Sequence, residues 1–409
     1  MTKRILAIAF IYCCTALAWA VLGSTIYDRT NSSEGRLKEK VVSTWGTRQA
    51  QEAPAAFSEK TETRIVNGRP EAWLVRVGLP LEETRAAVRF ALDYRQKGLL
   101  WYSTYGVAFD ARYRFTNPTP VESVSLELKL PASQALYDDL RVSVNGSPAA
   151  YRMQGQSIVT PAKVPAGDSV VFAVAYRSQG LDEWRYRLGG EVAEARNFRL
   201  TMRTDFDRID FPENTLSPTE KRKQSDGWEL EWRYTNLVSG FQIAMAMPQK
   251  LQPGPLAGRI SLFAPVSLLF FFAVMFLIAT LRGIDLHPMN YAFLAAAFFA
   301  FHLLLAYLVD HVSIHLAFAI SSVVSILLVT SYLRLVVGPR FALREAALAQ
   351  LTYLVLFSYA FFFEGFTGLT ITIGSILTLF VAMQLTGKVR WSEVFAVGGV
   401  QAPSPSSTS

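Results

Sequence analysis

Cysteine is almost missing from this sequence. Of 409 residues two are cysteine, Cys13 and Cys14, adjacent and inside the first apolar run. The region 27–257 therefore has no disulfide framework and no thiolate metal site, and at its length it can bury a core without covalent staples. Histidine is nearly as scarce. His287, His302, His311 and His315 are the whole set, and none lies in 27–257. That removes Ser-His and Cys-His catalysis from the region. The sequence also lacks a G-x-S-x-G elbow, a Walker A loop and a dinucleotide glycine pattern. Charged residues make up 18% of the chain, below the soluble average of about 25%. Residues 27–257 hold 31 of the 40 Lys and Arg and 28 of the 33 Asp and Glu, a net charge of +3. A near-neutral, mixed-sign region lacks the basic stripe that a nucleic-acid binder needs, so no nucleic-acid partner is expected.

What the sequence has in abundance is apolar residues, at 51%. Lys3-Arg4 precede an apolar run from Ile5 to about Ile26, the pattern of a signal peptide or a signal anchor. Its length exceeds a cleavable core and favours a retained anchor, although Ala18-Trp19-Ala20 has the small-x-small form of a cleavage site. Residues 34–60 are polar with a sparse apolar row, Leu37, Val41 and Trp45, which suits a helical stalk. From Thr61 to Pro248 the period is two. Val107, Phe109, Ala111, Tyr113 and Phe115 alternate with polar or small residues, as do Val124 to Leu130 and Val170 to Tyr176. Asn145-Gly146 reads as a hairpin turn. Residues 82–97 could begin as a capped helix at Glu82-Glu83-Thr84, but their alternation favours a strand. Strands at this spacing predict an antiparallel β-sandwich or a pair of small ones.

After Leu256 come five further apolar spans, about 260–281, 289–309, 313–335, 347–364 and 367–386. Lys3, Arg4, Arg282, Arg334, Arg340, Arg344, Lys388 and Arg390 all fall on one side if the N-terminus is cytoplasmic. The short turns at Asp310-His311 and Glu364-Gly365 carry no Lys or Arg. By the positive-inside rule both termini are cytoplasmic and 27–257 is periplasmic. Trp391 suits an interfacial anchor. The predicted fold is a membrane α-helical bundle of about six transmembrane helices with a large extracytoplasmic all-β, sandwich-like domain inserted after the first helix. The expected domains are an N-terminal signal anchor (1–26), a stalk (27–60), the β-domain (61–257), a five-helix bundle (258–391) and a disordered cytoplasmic tail (392–409).

Ionisable groups at membrane depth are functional candidates. At the expected outer mouth stand Asp310, His311, His315 and Glu364. His311 and His315 are four residues apart, as on one helix face, and imidazoles with carboxylates could hold a divalent metal or sense protons. The alternative is that these residues sit at the polar headgroup boundary. His302 lies deeper, at a depth unmatched by His315, which speaks against a haem between them. A hydrogen bond to Tyr332, Ser358 or Tyr359 is the expected use. Asp205, Asp207 and Asp210 resemble a calcium loop only loosely, because the expected glycine and terminal glutamate are missing and Arg208 intervenes. They read as surface turn acids. No cofactor is expected.

An anchor, a large β-rich domain, and then a bundle opening with Leu286, His287, Pro288, Met289, Asn290 and Tyr291 resembles the CreD family of bacterial inner-membrane, or cell envelope integrity, proteins. Asp310-His311 and the Lys388–Trp391 ending are similar to that family too. The resemblance is specific over about 286–391 and architectural over 27–257. It implies envelope homeostasis, a regulon responding to envelope or carbon-source conditions, and no established catalytic residues. Pro288 fits the first helical turn, where its missing N–H costs nothing. The expected function is non-enzymatic. The β-domain engages an envelope component or a membrane protein partner, and the bundle sits in the lipid bilayer. A transporter or lipid-handling bundle, and a metal-dependent membrane enzyme using the outer-mouth residues, stay open as alternatives.

Overall fold

The computed structural model describes residues 2–66, 69–97, 100–189, 193–363 and 365–387. The chain divides into two compact units, one of residues 1–34 and 251–409, the other of residues 35–250. Glu364, Lys388, Arg390, Trp391 and the expected tail 392–409 lie outside the described residues.

Helix α1 runs from Thr2 to Trp45. It ends at Gly46, whose φ of 98° few other residues adopt. The helical part of the stretch 34–60 is thus shorter than the sequence suggests, and a strand begins at Gln49. The apolar row of that stretch explains the helix. Leu37, Val41, Val42 and Trp45 pack on Leu100, Tyr102 and Leu181. Lys38 adds an ion pair to Asp182 at 3.0 Å, and Arg95 stacks on Trp45 at 3.4 Å.

Sixteen strands follow among the described residues: β1 (Gln49–Glu52), β2 (Ala55–Val66), β3 (Arg69–Gly78), β4 (Leu81–Lys97), β5 (Leu100–Thr116), β6 (Ser123–Lys129), β7 (Tyr137–Val144), β8 (Ser147–Pro148), β9 (Arg152–Gln154), β10 (Ser157–Lys163), β11 (Ser169–Leu181), β12 (Glu183–Arg187), β13 (Ala193–Arg203), β14 (Glu220–Lys223), β15 (Trp228–Ser239) and β16 (Ile243–Ala246). They form a three-stranded sheet (β1-β12-β16), a five-stranded sheet (β3-β2-β6-β10-β9) and an eight-stranded sheet (β14-β15-β13-β4-β5-β11-β7-β8). The stretch 82–97 is strand, within β4. Asn145 and Gly146 join β7 to β8 with φ of 50° and 82°, the two positive values of a type I′ hairpin turn. Two pairings depart from the antiparallel expectation. β13 lies parallel to β4, and β1 parallel to β12. β13 follows β12, which belongs to a different sheet, so it reaches β4 by a crossover and not by a hairpin.

One apolar cluster draws on all three sheets. It joins Val88, Phe109, Phe172, Phe198 and Trp232 of the largest sheet to Leu126 and Ile158 of the second and Trp184, Tyr186 and Ile243 of the third. A single sandwich core results, with side chains alternating between it and the opposite face. Trp184 is fully buried and lies edge-on to Phe90 with centroids 5.7 Å apart. Two fully buried tyrosines of this domain carry their hydroxyls to acceptors, as buried phenols usually do. Tyr105 donates to the Glu183 carbonyl at 2.8 Å, and Tyr176 donates to the Gln51 side chain at 2.8 Å. Burial pushes the Tyr137 hydroxyl up to about 12, against the pull of its bond to the Ala132 backbone, so it stays a neutral donor. Gly180 leaves room for the Tyr105 ring, which a Cβ there would strike.

The other unit contains α2 (Pro253–Leu281), α3 (Pro288–Leu308), α4 (Ile314–Val336), α5 (Pro339–Phe362) and α6 (Thr367–Thr386). With the first part of α1 these make six helices long and apolar enough to cross a membrane among the described residues. Two start earlier than their hydropathy suggests. Pro253 opens α2. Gly338, with φ of 127°, and Pro339 open α5, so its first turns include Arg340, Arg344 and Glu345. The Glu345 carboxylate pairs with Arg282. α5 is irregular, with π-helical turns at Ala342–Ala346 and Leu351–Leu356. α1 and α2 approach through small residues. A Cβ on Gly258 would touch Ile26 at 3.4 Å, the close packing expected where lipid supplies no hydrophobic drive. None of the residues of α6 is buried.

Truncating Trp184 to Ala should cost about 3–5 kcal/mol by the cavity it leaves. Thermal unfolding of the purified full chain, followed by near-ultraviolet circular dichroism, reads this as a lower midpoint. An unchanged midpoint would show that Trp184 does not hold the sheets together.

Candidate functional site

The motif Leu286–Tyr291 opens α3, and each of its residues has a local task. Leu286 is fully buried in the bundle core. His287 is the N-cap, and its Nδ1 accepts from the Met289 N–H at 3.2 Å, satisfying one of the unpaired donors of the first turn. Pro288 takes the first helical position. Asn290 accepts from the Tyr332 hydroxyl at 2.8 Å, tying α3 to α4. Tyr291 is buried edge-on to Phe272 at 5.3 Å. Met289 is half exposed. Just before the motif, Asp285 accepts from Arg4 at 2.8 Å.

At the other end of α3 the structure separates the residues that the sequence groups. α3 ends at Leu308, and Ser313 caps α4, its hydroxyl accepting from the Leu316 N–H. His311 therefore lies in the turn between the helices, and His315 in the first turn of α4. The two are not on one helix face, because the intervening residues are not helical. His315 packs on Phe362 with ring centroids 5.1 Å apart. Asp310 is turned to α1. Arg29 reaches its carboxylate at 3.1 Å, donates to the Ala306 carbonyl at 2.8 Å and lies 5.6 Å from the Tyr307 ring centroid. Among the described residues no three His, Cys, Asp or Glu side chains converge on a metal position.

His302 is fully buried, 4.9 Å from the Phe301 ring, 6.1 Å from Phe298 and 5.7 Å from Trp19. The expected hydrogen bond to Tyr332, Ser358 or Tyr359 is not formed. Tyr332 is committed to Asn290, the Tyr359 ring stacks on Phe362, and both His302 nitrogens are without a partner among the described residues. Among the described residues the Trp19 indole N–H is likewise without a partner. A polar contact that the sequence reading missed lies across α3, α4 and α5. The Gln350 amide donates to the Ser325 hydroxyl at 2.8 Å, and Ser325 donates to the Ala297 carbonyl at 2.7 Å. A lone amide in an apolar span was the available signal.

In the β-domain the loose acidic set is used locally. Asp205 accepts from the Leu92 N–H at 2.9 Å, the Asp207 carboxylate pairs with Lys223, and Asp210 accepts through its carbonyl from the Ala246 N–H at 3.0 Å.

Six apolar helices with a many-stranded β-domain inserted after the first define a multi-pass membrane protein with one large non-membrane domain. Residues 1–392 match the family described as inner membrane protein CreD, and the chain belongs to that family. No curated protein matches it. As a member it is an inner-membrane protein in contact with the lipid bilayer.

Two predictions follow from this geometry. Replacing Arg29 with Ala removes the tie between α1 and Asp310 and should lower the thermal midpoint by the equivalent of about 1 kcal/mol or less, given the partial exposure of both groups. Combining it with Asp310→Asn should recover part of the loss. An additive double variant would show that the two side chains are not coupled. A strong chelator should leave the midpoint of the purified protein unchanged, since Asp310 is taken by Arg29; a drop on chelation would restore a metal to this end of the bundle.

Proposed function

We propose that this protein is a non-enzymatic component of cell-envelope homeostasis, whose β-domain lies in the periplasm and engages an envelope component. The single observation that carries this reading is a well-packed domain of sixteen described strands without a histidine or cysteine to do chemistry, inserted into an inner-membrane protein of the CreD family. The distribution of charge supports cytoplasmic termini. Arg4, Arg282, Arg334, Arg340 and Arg344 gather at one side of the spans, which is the retained side under the positive-inside rule.

α1 contributes residues to both units. It is a single helix from the first span to Trp45, and its last turns pack on β5 and β11 of the β-domain. A ligand bound to the domain can bias α1, provided that it distinguishes two arrangements of those contacts. In the bundle, Arg4 and Arg29 hold the apolar part of α1, Lys3–Thr30, near its two ends, and His302 meets Trp19 between them.

Deleting the gene should raise sensitivity to detergent or other envelope stress, and the full chain should restore it. A chain lacking residues 49–248 but keeping the six spans should not. Wild-type growth of the deletion strain across such conditions counts against a role in the envelope, and full rescue by the shortened chain counts against the β-domain as its working part.

A further inference from the structure

The face of the eight-stranded sheet away from the core is not evenly charged. Its register lines up three cross-strand rows. The first reads Arg233, Arg199, Arg85 and Arg112 on β15, β13, β4 and β5, then Ala173 and Ser143. The next reads Glu231, Thr201, Ala87, Asp110, Ala175 and Arg141, and the third Glu229, Arg203, Arg89, Ala108, Arg177 and Asp138. With neighbouring strands about 4.8 Å apart, the four arginines of the first row span roughly 14 Å.

Some of this charge is neutralised where it stands. Glu231 meets Arg199 at 2.7 Å and Arg233 at 2.7 Å. Burial acts to raise its carboxyl, but Arg233 and Arg199 outweigh that and hold it below the usual carboxylate range. Glu229 holds Arg203 at 2.6 Å, and Asp139 holds Arg177 at 3.4 Å. Glu83 pairs with Arg85. Arg89, Arg112 and Arg141 are exposed and have no ion-pair partner among the described residues. They border a low floor of Ala108, Ala173 and Ala175. Two adjoining depressions follow that floor. One, of about 900 Å³, is bordered by Arg112, Arg141, Asp110 and the half-exposed ring of Tyr151. The other, of about 370 Å³, is bordered by Arg89, Arg177 and Asp138. Along β11 they run from Val171 to Gln179, about 27 Å of strand.

We infer that this trough binds an anionic glycan, a sugar polymer bearing carboxylate or phosphate groups, across the solvent face of β4, β5, β11 and β7. The inference rests on the reading that the β-domain engages an envelope component, and it names the chemistry of that component. Arginine forks match carboxylate and phosphate oxygens bidentately. Four arginines line the two depressions against two carboxylates, Asp110 and Asp138, and the excess favours a ligand of negative sign. The length of the trough suits an extended chain rather than a single small molecule. Tyr151 offers a flat apolar face to a sugar ring, and the Asp110 carboxylate can accept from a sugar hydroxyl.

The test uses the full-length protein in nanodiscs of zwitterionic lipid and four probes: dextran, carboxymethyl-dextran, phosphorylated dextran and inorganic polyphosphate. Isothermal titration should give binding to one or both charged dextrans at least tenfold tighter than to dextran or polyphosphate, weakening with salt. Whichever charged dextran binds better identifies the anion. Arg112→Glu combined with Arg141→Glu should weaken that binding at least tenfold, whereas Lys163→Glu, on β10 of another sheet, should not. Equal binding of polyphosphate would leave only a general polyanion surface and overturn the glycan. Failure of both charged dextrans to bind, or binding indifferent to the double variant, would overturn the site. Either failure beside a stress-sensitive deletion strain removes the ligand and keeps the envelope role; an insensitive deletion strain removes that role whatever the titrations show.

Discussion

The β-domain depends on the pairing of β4 with β5. These are its longest strands, joined from Leu81–Phe115 to Lys97–Leu100. The period of a strand is two, so this register decides for both strands which side chains enter the core. Val88, Phe90, Phe109, Tyr113 and Phe115 go in, and Arg85, Arg89, Arg112 and Arg114 stay out. A slip by one residue would exchange the sets, leaving the aromatic residues in water and charges in a dry core. β13 and β11 then add to the two free edges, and each inherits the same alternation. The apolar core and the arginine rows are two faces of one constraint.

The bundle answers to a different constraint. Its helices satisfy their own backbones, and lipid gives them no hydrophobic reason to associate. What orders them is close approach at Gly23, Gly254 and Gly258, aromatic contact, and a few polar ties at the ends: Arg4 to Asp285, Arg29 to Asp310, Arg282 to Glu345. Each tie joins a charge that sits cheaply at a span end to a partner on another helix. Leu286–Tyr291 belongs with them. Its cap, proline and buried leucine start α3 in the right place, and Tyr332 holds it to α4. With all but the half-exposed Met289 side chain engaged in helix initiation and packing, the motif has little left over for a reaction.

The architecture was legible because its signals are long and local. A span of twenty apolar residues and an alternation carried over ten residues survive any tertiary context, and Asn145-Gly146 specifies its turn alone. What failed depended on where a helix stops. His311 and His315 share a face only if helix runs through both, and Ser313 begins α4 between them. The early start of α5 was hidden because Arg340, Arg344 and Glu345 look too polar for a span until Arg282 is brought alongside. Of the three hydroxyls expected near His302, Tyr332 is taken by Asn290, and neither Ser358 nor Tyr359 bonds to the imidazole. The Asp310 carboxylate was read beside its sequence neighbours, when its partner, Arg29, is on a helix almost the whole chain away.

The charge of the β-domain shows the same limit more sharply. A net of +3 over 27–257 describes a region with no electrostatic preference. A sum over sequence cannot see a face. Alternation alone puts Arg85 and Arg89 on one side of β4, and Arg112 and Arg114 on one side of β5, and that much was readable. That the two sides coincide, and that β13 and β15 extend the row with Arg199 and Arg233, follows only from the pairing, including the parallel β13–β4 contact that no hairpin rule supplies. On β15, Glu229 and Glu231 meet Arg199, Arg203 and Arg233, while Glu83 on β4 takes Arg85 and Asp139 on β7 takes Arg177. The middle and far strands keep Arg89, Arg112 and Arg141 uncompensated. A neutral domain can therefore present a strongly cationic surface, and its register, more than its composition, sets what it attracts.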